Sequence, residues 1–237
     1  MVLKDENEMS YYPVFLQLEE KTALVVGGGK VAERKVEGLL RCGASVNMVS
    51  KVLTERLRLL VDSGEVRFLG EEMREEFLDD AFIVIAATDD KELNSRVSEK
   101  ARKRGLLVNA VDQPADCNFI LPSTVRRGDL SIAISTSGKS PALAKRIRKE
   151  LYARFGKEYE TFLNLMGDLR KEVLALGLPQ EENSRIFHEI VHGNTMDALA
   201  ENDFSRVETA LEKIVPKGID IKKMLSEFRR PDSGVKD

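Results

Sequence analysis

Two histidines one helical turn apart form the first candidate for a chemical site in this sequence. His188 and His192 stand in HEIVH, which fits the zinc-hydrolase pattern H-E-x-x-H, with Glu189 as the base that activates water. No third histidine follows at the spacing of the longer zinc-protease motifs. We therefore expect no zinc proteolysis and no resident metal. The commoner interpretation is a pair of surface or partly buried helix histidines.

A glycine-rich turn is the second candidate. Gly27, Gly29 and Ala32 give G-x-G-x-x-A between the apolar run TALVV and a helical pattern. In such turns the first glycine permits the tight bend, the second lets the backbone approach a pyrophosphate, and the small third residue packs the helix on the strand. The helix N-terminus favours the anion. The pattern predicts dinucleotide binding by Gly27, Gly28 and Gly29, against the alternative of a purely structural turn.

The residues that follow the second predicted strand leave the dinucleotide undecided. NAD sites usually carry an acidic residue there, to hold the ribose hydroxyls. This sequence has Ser50 and Lys51 instead. Ser50 could bond a ribose and Lys51 could favour a 2′-phosphate, so the choice between NAD and NADP stays open.

Polar residues also follow the next two predicted strands. Thr88 and Asp89 come after AFIVIAA, and Asn109 and Asp112 lie at the end of LLVNAVD. In open α/β sheets, ligands bind outside the carboxyl ends of the strands. Gln113 and a proline end the last strand and would project the Asp112 carboxylate at its tip. The alternative, a turn-forming aspartate before proline, is equally common.

The elements that must position these residues alternate between strand and helix. This alternation predicts an α/β fold with an N-terminal Rossmann-like parallel sheet covered by helices on both sides. A hairpin then turns at Arg127-Gly128-Asp129, giving a small α+β segment, and a C-terminal helical domain follows. The expected divisions are 1–113, 114–150 and 151–237, with a disordered tail at 231–237.

The loop after the hairpin combines hydroxyl groups with positive charge. Ser140 is a good N-cap and Pro141 a good first helical residue. SGKS also resembles half of a Walker A motif, but Ala133 stands where its first glycine should be. We instead expect a site for carboxylates or phosphates, against the alternative of a solvated basic helix face. Its residues would be Thr136, Ser137, Gly138, Lys139, Ser140, Lys145 and Arg146.

Composition limits the function classes. The 237 residues are 42% hydrophobic and 32% charged, with a net charge of −3, which predicts a soluble protein and gives no sign of a nucleic-acid partner. We expect no membrane span and no signal peptide. Cys42 and Cys117 are expected to be free thiols in a cytoplasmic protein.

Four segments together resemble one family. GGGKVAERKVEGLL, AATDD, NAVDQPADCNFILPS and RRGDLSIAISTSGKSPALAKRIRKEL occur in this order over roughly residues 11–175. They are similar to precorrin-2 dehydrogenase, the N-terminal module of sirohaem synthase, which in some members is also the sirohydrochlorin ferrochelatase. The D-x-P-x-x-C-x-F and S-T-x-G-x-S-P runs are specific to this resemblance and are not general Rossmann features.

The resemblance implies an activity and roles for residues. The family oxidises precorrin-2 to sirohydrochlorin by hydride transfer to NAD⁺, and bifunctional members then insert Fe²⁺ to give sirohaem. It implies Asp112 as the catalytic residue, and a homodimer built through 114–150. The family's cofactor contacts fall on Lys30, Val31, Lys51 and Val52. A serine that is phosphorylated in some members corresponds to Thr136, which puts such regulation in doubt.

The expected chemistry follows from these roles. Asp112 would act as general base in the oxidation, and in chelation it could accept pyrrole protons or transiently hold iron. The histidine pair could deliver Fe²⁺ if its helix lines the cleft. No methyltransferase segment follows, so methylation of uroporphyrinogen is expected from another protein. The alternatives are a non-catalytic NAD-sensing Rossmann module, which would need neither Asp112 nor SGKSPALAKR, and a zinc hydrolase.

Overall fold

The structure is a computed structural model that describes residues 11–228. Internal contacts divide the chain into two compact units, one up to Leu121 and one from Pro122. The tail expected at 231–237 lies outside the described residues. The division at 113 and 150 stays a prediction.

The first unit alternates strands and helices. Its strands form one parallel sheet in the order β3-β2-β1-β4-β5, which confirms the expected Rossmann-like fold. Strand order reverses between β1 and β4, the point where open α/β sheets bind ligands. The elements are β1 (Thr22–Val26), α1 (Lys30–Leu40), β2 (Ser45–Val49), α2 (Glu55–Asp62), β3 (Val66–Gly70), β4 (Ile83–Ala86), α3 (Lys91–Lys103) and β5 (Leu107–Ala110).

Helices cover both faces of the sheet. The side chains of β1 and β4 are buried almost throughout, because alternate residues point into two different apolar clusters. Val25 and Ile85 join the cluster that contains α1 and α2, while Leu24 and Val84 join the cluster that contains α3. Two short 3₁₀ turns, Glu75–Leu78 and Pro114–Asp116, were not predicted, since three or four residues carry no periodic pattern.

The second unit begins with the expected hairpin. β6 (Ser123–Arg127) and β7 (Leu130–Ile134) pair antiparallel around Gly128, whose φ of +53° is left-handed. The helix α4 (Pro141–Arg154) packs beside them. Arg127 joins hairpin and helix, because its guanidinium donates to the Tyr152 and Phe155 carbonyls and lies 3.6 Å from the Tyr152 ring centre.

Five helices complete the second unit and share one apolar core. Fully buried side chains such as Leu165, Ile190 and Leu211 come from three of them. The helices are α5 (Glu158–Ala175), α6 (Gln180–His192), α7 (Thr195–Ala200), α8 (Phe204–Glu212) and α9 (Ile221–Phe228). Across the described part of the chain, no helix is both long and apolar enough to span a membrane.

Candidate functional site

The glycine loop leaves β1 at the carboxyl edge of the sheet. The N–H of Gly27 donates to the Val49 carbonyl at 2.8 Å, which ties the loop to β2. Gly27 has φ +121°, and a Cβ at this position would overlap the carbonyl of Ala87. Only glycine therefore fits here.

The next two glycines differ in what surrounds them. A Cβ on Gly28 would overlap the Val52 carbonyl and the Ser50 hydroxyl, so this backbone packs directly on the loop after β2. A Cβ on Gly29, the exposed N-cap of α1, would have no atom within 4 Å. The start of α1 therefore opens onto free space, as the pyrophosphate of a dinucleotide requires. Ala32, the small third residue of the pattern, is fully buried.

The first turn of α1 carries its own ion pair. The Lys30 ammonium lies 3.1 Å from the Glu33 carboxylate. Hydrogen bonds from Thr54 and Lys30 lower the pKa of Glu33. Glu33 is therefore ionised at neutral pH and offsets the charge of Lys30. An anion at this helix start would therefore be held mainly by backbone N–H groups, beside the half-buried side chain of Val31.

The hydroxyl of Ser50 closes the turn after β2. It donates to the Val52 carbonyl at 2.7 Å and accepts the Val52 N–H at 3.3 Å. The side chains of Lys51 and Val52 are exposed beside it. Ser50 thus shapes the turn, and of these residues Lys51 has the charge free to meet a cofactor.

A residue that sequence reasoning missed holds the loop after β4. Asn94, 1% exposed, accepts hydrogen bonds from the Thr88 hydroxyl at 2.7 Å and the Thr88 N–H at 3.2 Å. It also donates to the Thr88 carbonyl at 2.9 Å. Asp89 is exposed at the tip of this loop. The signal in the sequence was a polar residue on the face that α3 shares with Val97 and Ala101.

Asp112 stands in a strained turn at the end of β5. Its φ of +58° is left-handed, a conformation that non-glycine residues rarely adopt. The Gln113 N–H closes the turn on the Ala110 carbonyl at 3.4 Å. The carboxylate is exposed, and among residues 11–228 no hydrogen bond or ion pair engages it. Strain held by the surrounding structure is typical of functional positions.

A polar network fixes the residues that follow Asp112. The Gln113 amide donates to the Ser95 hydroxyl at 2.8 Å and to Asp116 at 3.0 Å. Ser95 in turn donates to Asp116 at 2.6 Å. Arg102 donates to the Ala115 carbonyl at 3.2 Å and lies 3.7 Å from Asp116. Asp116 is thus a structural carboxylate, whereas Asp112 is free to meet a ligand.

The remaining residues of D-x-P-x-x-C-x-F fasten the same loop to β5. The Cys117 thiol accepts the Ala110 N–H at 3.2 Å. Asn118 accepts the Val108 N–H at 2.7 Å and donates to the Leu106 carbonyl. Asn109 donates to the Phe119 carbonyl at 3.1 Å, so its side-chain amide is already hydrogen-bonded within the loop. The motif works as a scaffold that presents Asp112.

The second unit carries the predicted hydroxyl-rich loop between β7 and α4. Thr136 and Ser140 accept the N–H groups of Ser140 and Leu143 at 3.2 and 3.3 Å, so Ser140 is the expected N-cap. Ser137 and Gly138 have φ of +50° and +78°. The hydroxyl oxygens of Thr136 and Ser140 already accept backbone N–H groups, but their O–H groups could still donate to a ligand.

The basic residues of this segment differ in how much of their positive charge is available to a ligand. Lys139 and Lys145 are exposed. The Arg146 guanidinium lies 2.8 Å from Glu150, which raises the pKa of Arg146 and offsets its charge. Positive charge available to a ligand is therefore centred on the two lysines.

The histidine pair lies at the exposed end of α6. The ring centres of His188 and His192 are 4.1 Å apart. Within the described range, no group of three or more His, Cys, Asp and Glu side chains is placed to hold a metal. The zinc-hydrolase alternative thus has no third protein ligand among those residues.

Comparison with known proteins matches both units. Residues 14–123 match a family described as putative NAD(P)-binding, and residues 127–154 match the sirohaem biosynthesis protein central domain. The chain is 37% identical over 209 residues to siroheme synthase 1 of Serratia proteamaculans, which covers 86% of this chain and 43% of that protein. It is 42% identical over 165 residues to siroheme synthase 1 of Pectobacterium atrosepticum, covering 70% and 34%. The chain thus spans less than half the length of these relatives.

A solved structure is matched over its whole length. The structure of SirC, a precorrin-2 dehydrogenase, superimposes with a TM-score of 0.71 and 28% identity, covering 84% of this chain and all of SirC. The chain therefore belongs to the sirohaem biosynthesis family that includes this dehydrogenase and the corresponding part of the sirohaem synthases.

Proposed function

We propose that this chain oxidises precorrin-2 to sirohydrochlorin with NAD⁺. One observation carries the proposal: the unpaired Asp112 carboxylate stands at the same edge of the sheet as the glycine loop. A dinucleotide site and a free carboxylate are the two parts that such an oxidation needs from this unit. The similarity to a precorrin-2 dehydrogenase and to sirohaem synthases supports the choice of substrate.

The glycine loop would hold the cofactor. Backbone N–H groups at the start of α1 would bind the pyrophosphate above Gly29, with Lys30 and Val31 beside it. Lys51 and Val52 would flank the ribose, with Thr88, Asp89 and Asn109 lining the strand edge. When bound, NAD⁺ supplies the hydride acceptor. Because β2 is followed by Ser50 and Lys51 and not by an acidic residue, NAD⁺ and NADP⁺ should be compared directly.

Asp112 would accept the proton that the oxidation releases. Loss of a hydride from precorrin-2 leaves one proton to be removed, and an exposed carboxylate can accept it as general base. Asp116 cannot substitute, because Ser95, Gln113 and Arg102 already engage it.

The second unit would bind the acidic side chains of the macrocycle. Precorrin-2 carries many acetate and propionate groups. Lys139, Lys145 and the hydroxyls of the β7–α4 loop offer charge and donors to carboxylates. Arg146 would contribute less, since Glu150 already neutralises part of its charge.

The test is an anaerobic assay with precorrin-2. We expect the absorbance of NADH at 340 nm to rise together with that of sirohydrochlorin, and a lower rate with NADP⁺.

Later addition of Fe²⁺ tests the ferrochelatase activity: sirohaem formed faster than in buffer alone would establish it. Absence of cofactor reduction, with NAD⁺ still bound, would replace the proposal with the non-catalytic sensor.

A homodimer is part of the proposal. Among its fourteen described residues, α4 buries only Ala144, and Leu143 and Tyr152 are about half exposed. Apolar side chains exposed together on one face are typical of an interaction surface, so a second copy would cover this face. Light scattering should give the mass of two chains, and Leu143→Glu should shift it towards one. Cys42 and Cys117 form no disulfide, and together with the use of NAD⁺ this favours the cytoplasm.

A further inference from the structure

The exposed end of α6 presents two imidazoles to one point in solvent. His188 and His192 are separated by one helical turn, and their ring centres lie 4.1 Å apart at an angle of 44°. Metal–nitrogen bonds to imidazole are about 2.0–2.1 Å long. Two rings this close can therefore donate one nitrogen each to the same ion after small rotations of their side chains.

The helix holds the pair in place. Ile186 and Ile190 are fully buried on the opposite face of α6 and anchor it in the core of the second unit. His192 is the last residue of the helix, where the free carbonyl ends favour a cation. Both histidines are exposed, so a metal reaches them without any rearrangement.

The neighbouring carboxylate is committed elsewhere. Glu189 lies between the two histidines in sequence but pairs with Arg185 at 2.9 Å. The site thus consists of two imidazoles, and water must complete the coordination. Such a ligand set favours borderline transition ions over Mg²⁺ and Ca²⁺, which prefer oxygen.

We infer that His188 and His192 form an exchangeable two-imidazole site for divalent transition-metal ions such as Ni²⁺, Co²⁺ and Fe²⁺. With only two protein ligands it binds more weakly than a closed structural site and releases the ion readily. Binding follows the order Ni²⁺ > Co²⁺ > Fe²⁺. This inference goes beyond the proposed oxidation and needs no turnover.

The test is calorimetric titration of untagged full-length protein with Ni²⁺, in the absence of NAD⁺ and tetrapyrrole. Wild type should bind one ion per chain. His188→Ala and His192→Ala should each weaken binding at least about tenfold, since loss of outer-shell partners alone costs about 10–100-fold. Glu189→Gln should leave the affinity unchanged. Equal thermal unfolding without metal would show that the variants fold.

A relocated pair makes the test specific. Ser184 is exposed one turn before His188. Ser184→His combined with His192→Ala should restore the binding that His192→Ala alone removes, because it rebuilds the i, i+4 spacing. Ni²⁺ should also raise the melting temperature of wild type and of the relocated pair but not of His192→Ala. No binding by wild type, or binding by His188→Ala and His192→Ala as tight as that of wild type, would overturn the inference.

Discussion

The Ser95 hydroxyl donates a 2.6 Å hydrogen bond to the Asp116 carboxylate across twenty-one residues of sequence. This bond joins the first turns of α3 to the loop after β5, and Gln113 completes it. The loop is therefore rigid at its base, while Asp112 projects from it in a left-handed conformation. The two aspartates differ in their partners, and this difference supports the proposal that Asp112, and not Asp116, acts in the reaction.

The glycine loop gives a prediction that separates folding from binding. Gly29→Ala should fold normally, because the new Cβ has no neighbour within 4 Å, yet it should weaken NAD⁺ binding at least about tenfold by filling the space above α1. Gly28→Ala should lose both stability and affinity, since its Cβ overlaps the Val52 carbonyl. Calorimetric NAD⁺ titration and thermal unfolding measure the two effects.

The matched control lies in the same helix. A Cβ on Gly38, inside α1, also meets nothing within 4 Å. Gly38→Ala should raise stability by about 0.5–1 kcal/mol, because alanine favours the helix, and should leave NAD⁺ affinity unchanged. Equal NAD⁺ affinity in Gly29→Ala and Gly38→Ala would contradict a pyrophosphate site at the start of α1.

Asn94 should be a determinant of stability. Asn94→Ala removes the hydrogen bonds to Thr88 and leaves partly buried backbone groups of Thr88 unpaired, at a cost of about 1–3 kcal/mol. The free energy of unfolding in urea measures the loss. Glu92→Ala, an exposed change in the same turn of α3, should stay within about 0.5 kcal/mol. A similar result for both variants would show that the Asn94 bonds do not stabilise the loop.

The ion pairs of Glu75 make stability depend on pH. Hydrogen bonds from Lys100 and Arg104 lower its pKa below the usual 4.5. A lowered pKa in the folded protein adds stability above pH 4.5, which is lost as the pH falls through the folded-state value. Glu75→Gln should therefore lower the melting temperature at pH 7 and have a progressively smaller effect as the pH falls below 4.5. The effect should be modest and weaken in salt, because both partners are exposed.

The control for this prediction is Glu72→Gln, which changes an exposed carboxylate of the same loop. It should give the same melting temperature as wild type at pH 7. A Glu75→Gln variant that loses as much stability at pH 3 as at pH 7 would mean that ionisation is not the cause.

The strands of the sheet could be predicted from the sequence, but the polar side chains that hold the loops at its edge could not. Glycines, apolar runs and helix caps are local signals, so β1, α1 and the Ser140 cap were predictable from adjacent residues. Asn94, Ser95 and Asp116 act through partners 6 to 21 residues away, which no local pattern reveals. The sequence also does not reveal that the Ser50 hydroxyl is already hydrogen-bonded, because its partner is a backbone carbonyl. The roles assigned to individual site residues stay predictions.

The most direct test of the central claim is the rate of NAD⁺ reduction by precorrin-2 in Asp112→Asn. We expect a loss of about 10²–10⁴-fold, the usual contribution of a general base, with NAD⁺ affinity and melting temperature unchanged because the carboxylate has no partner among the described residues. Asp62→Asn, an exposed change at the last residue of α2, should keep the wild-type rate. An Asp112→Asn enzyme as fast as wild type would contradict the account.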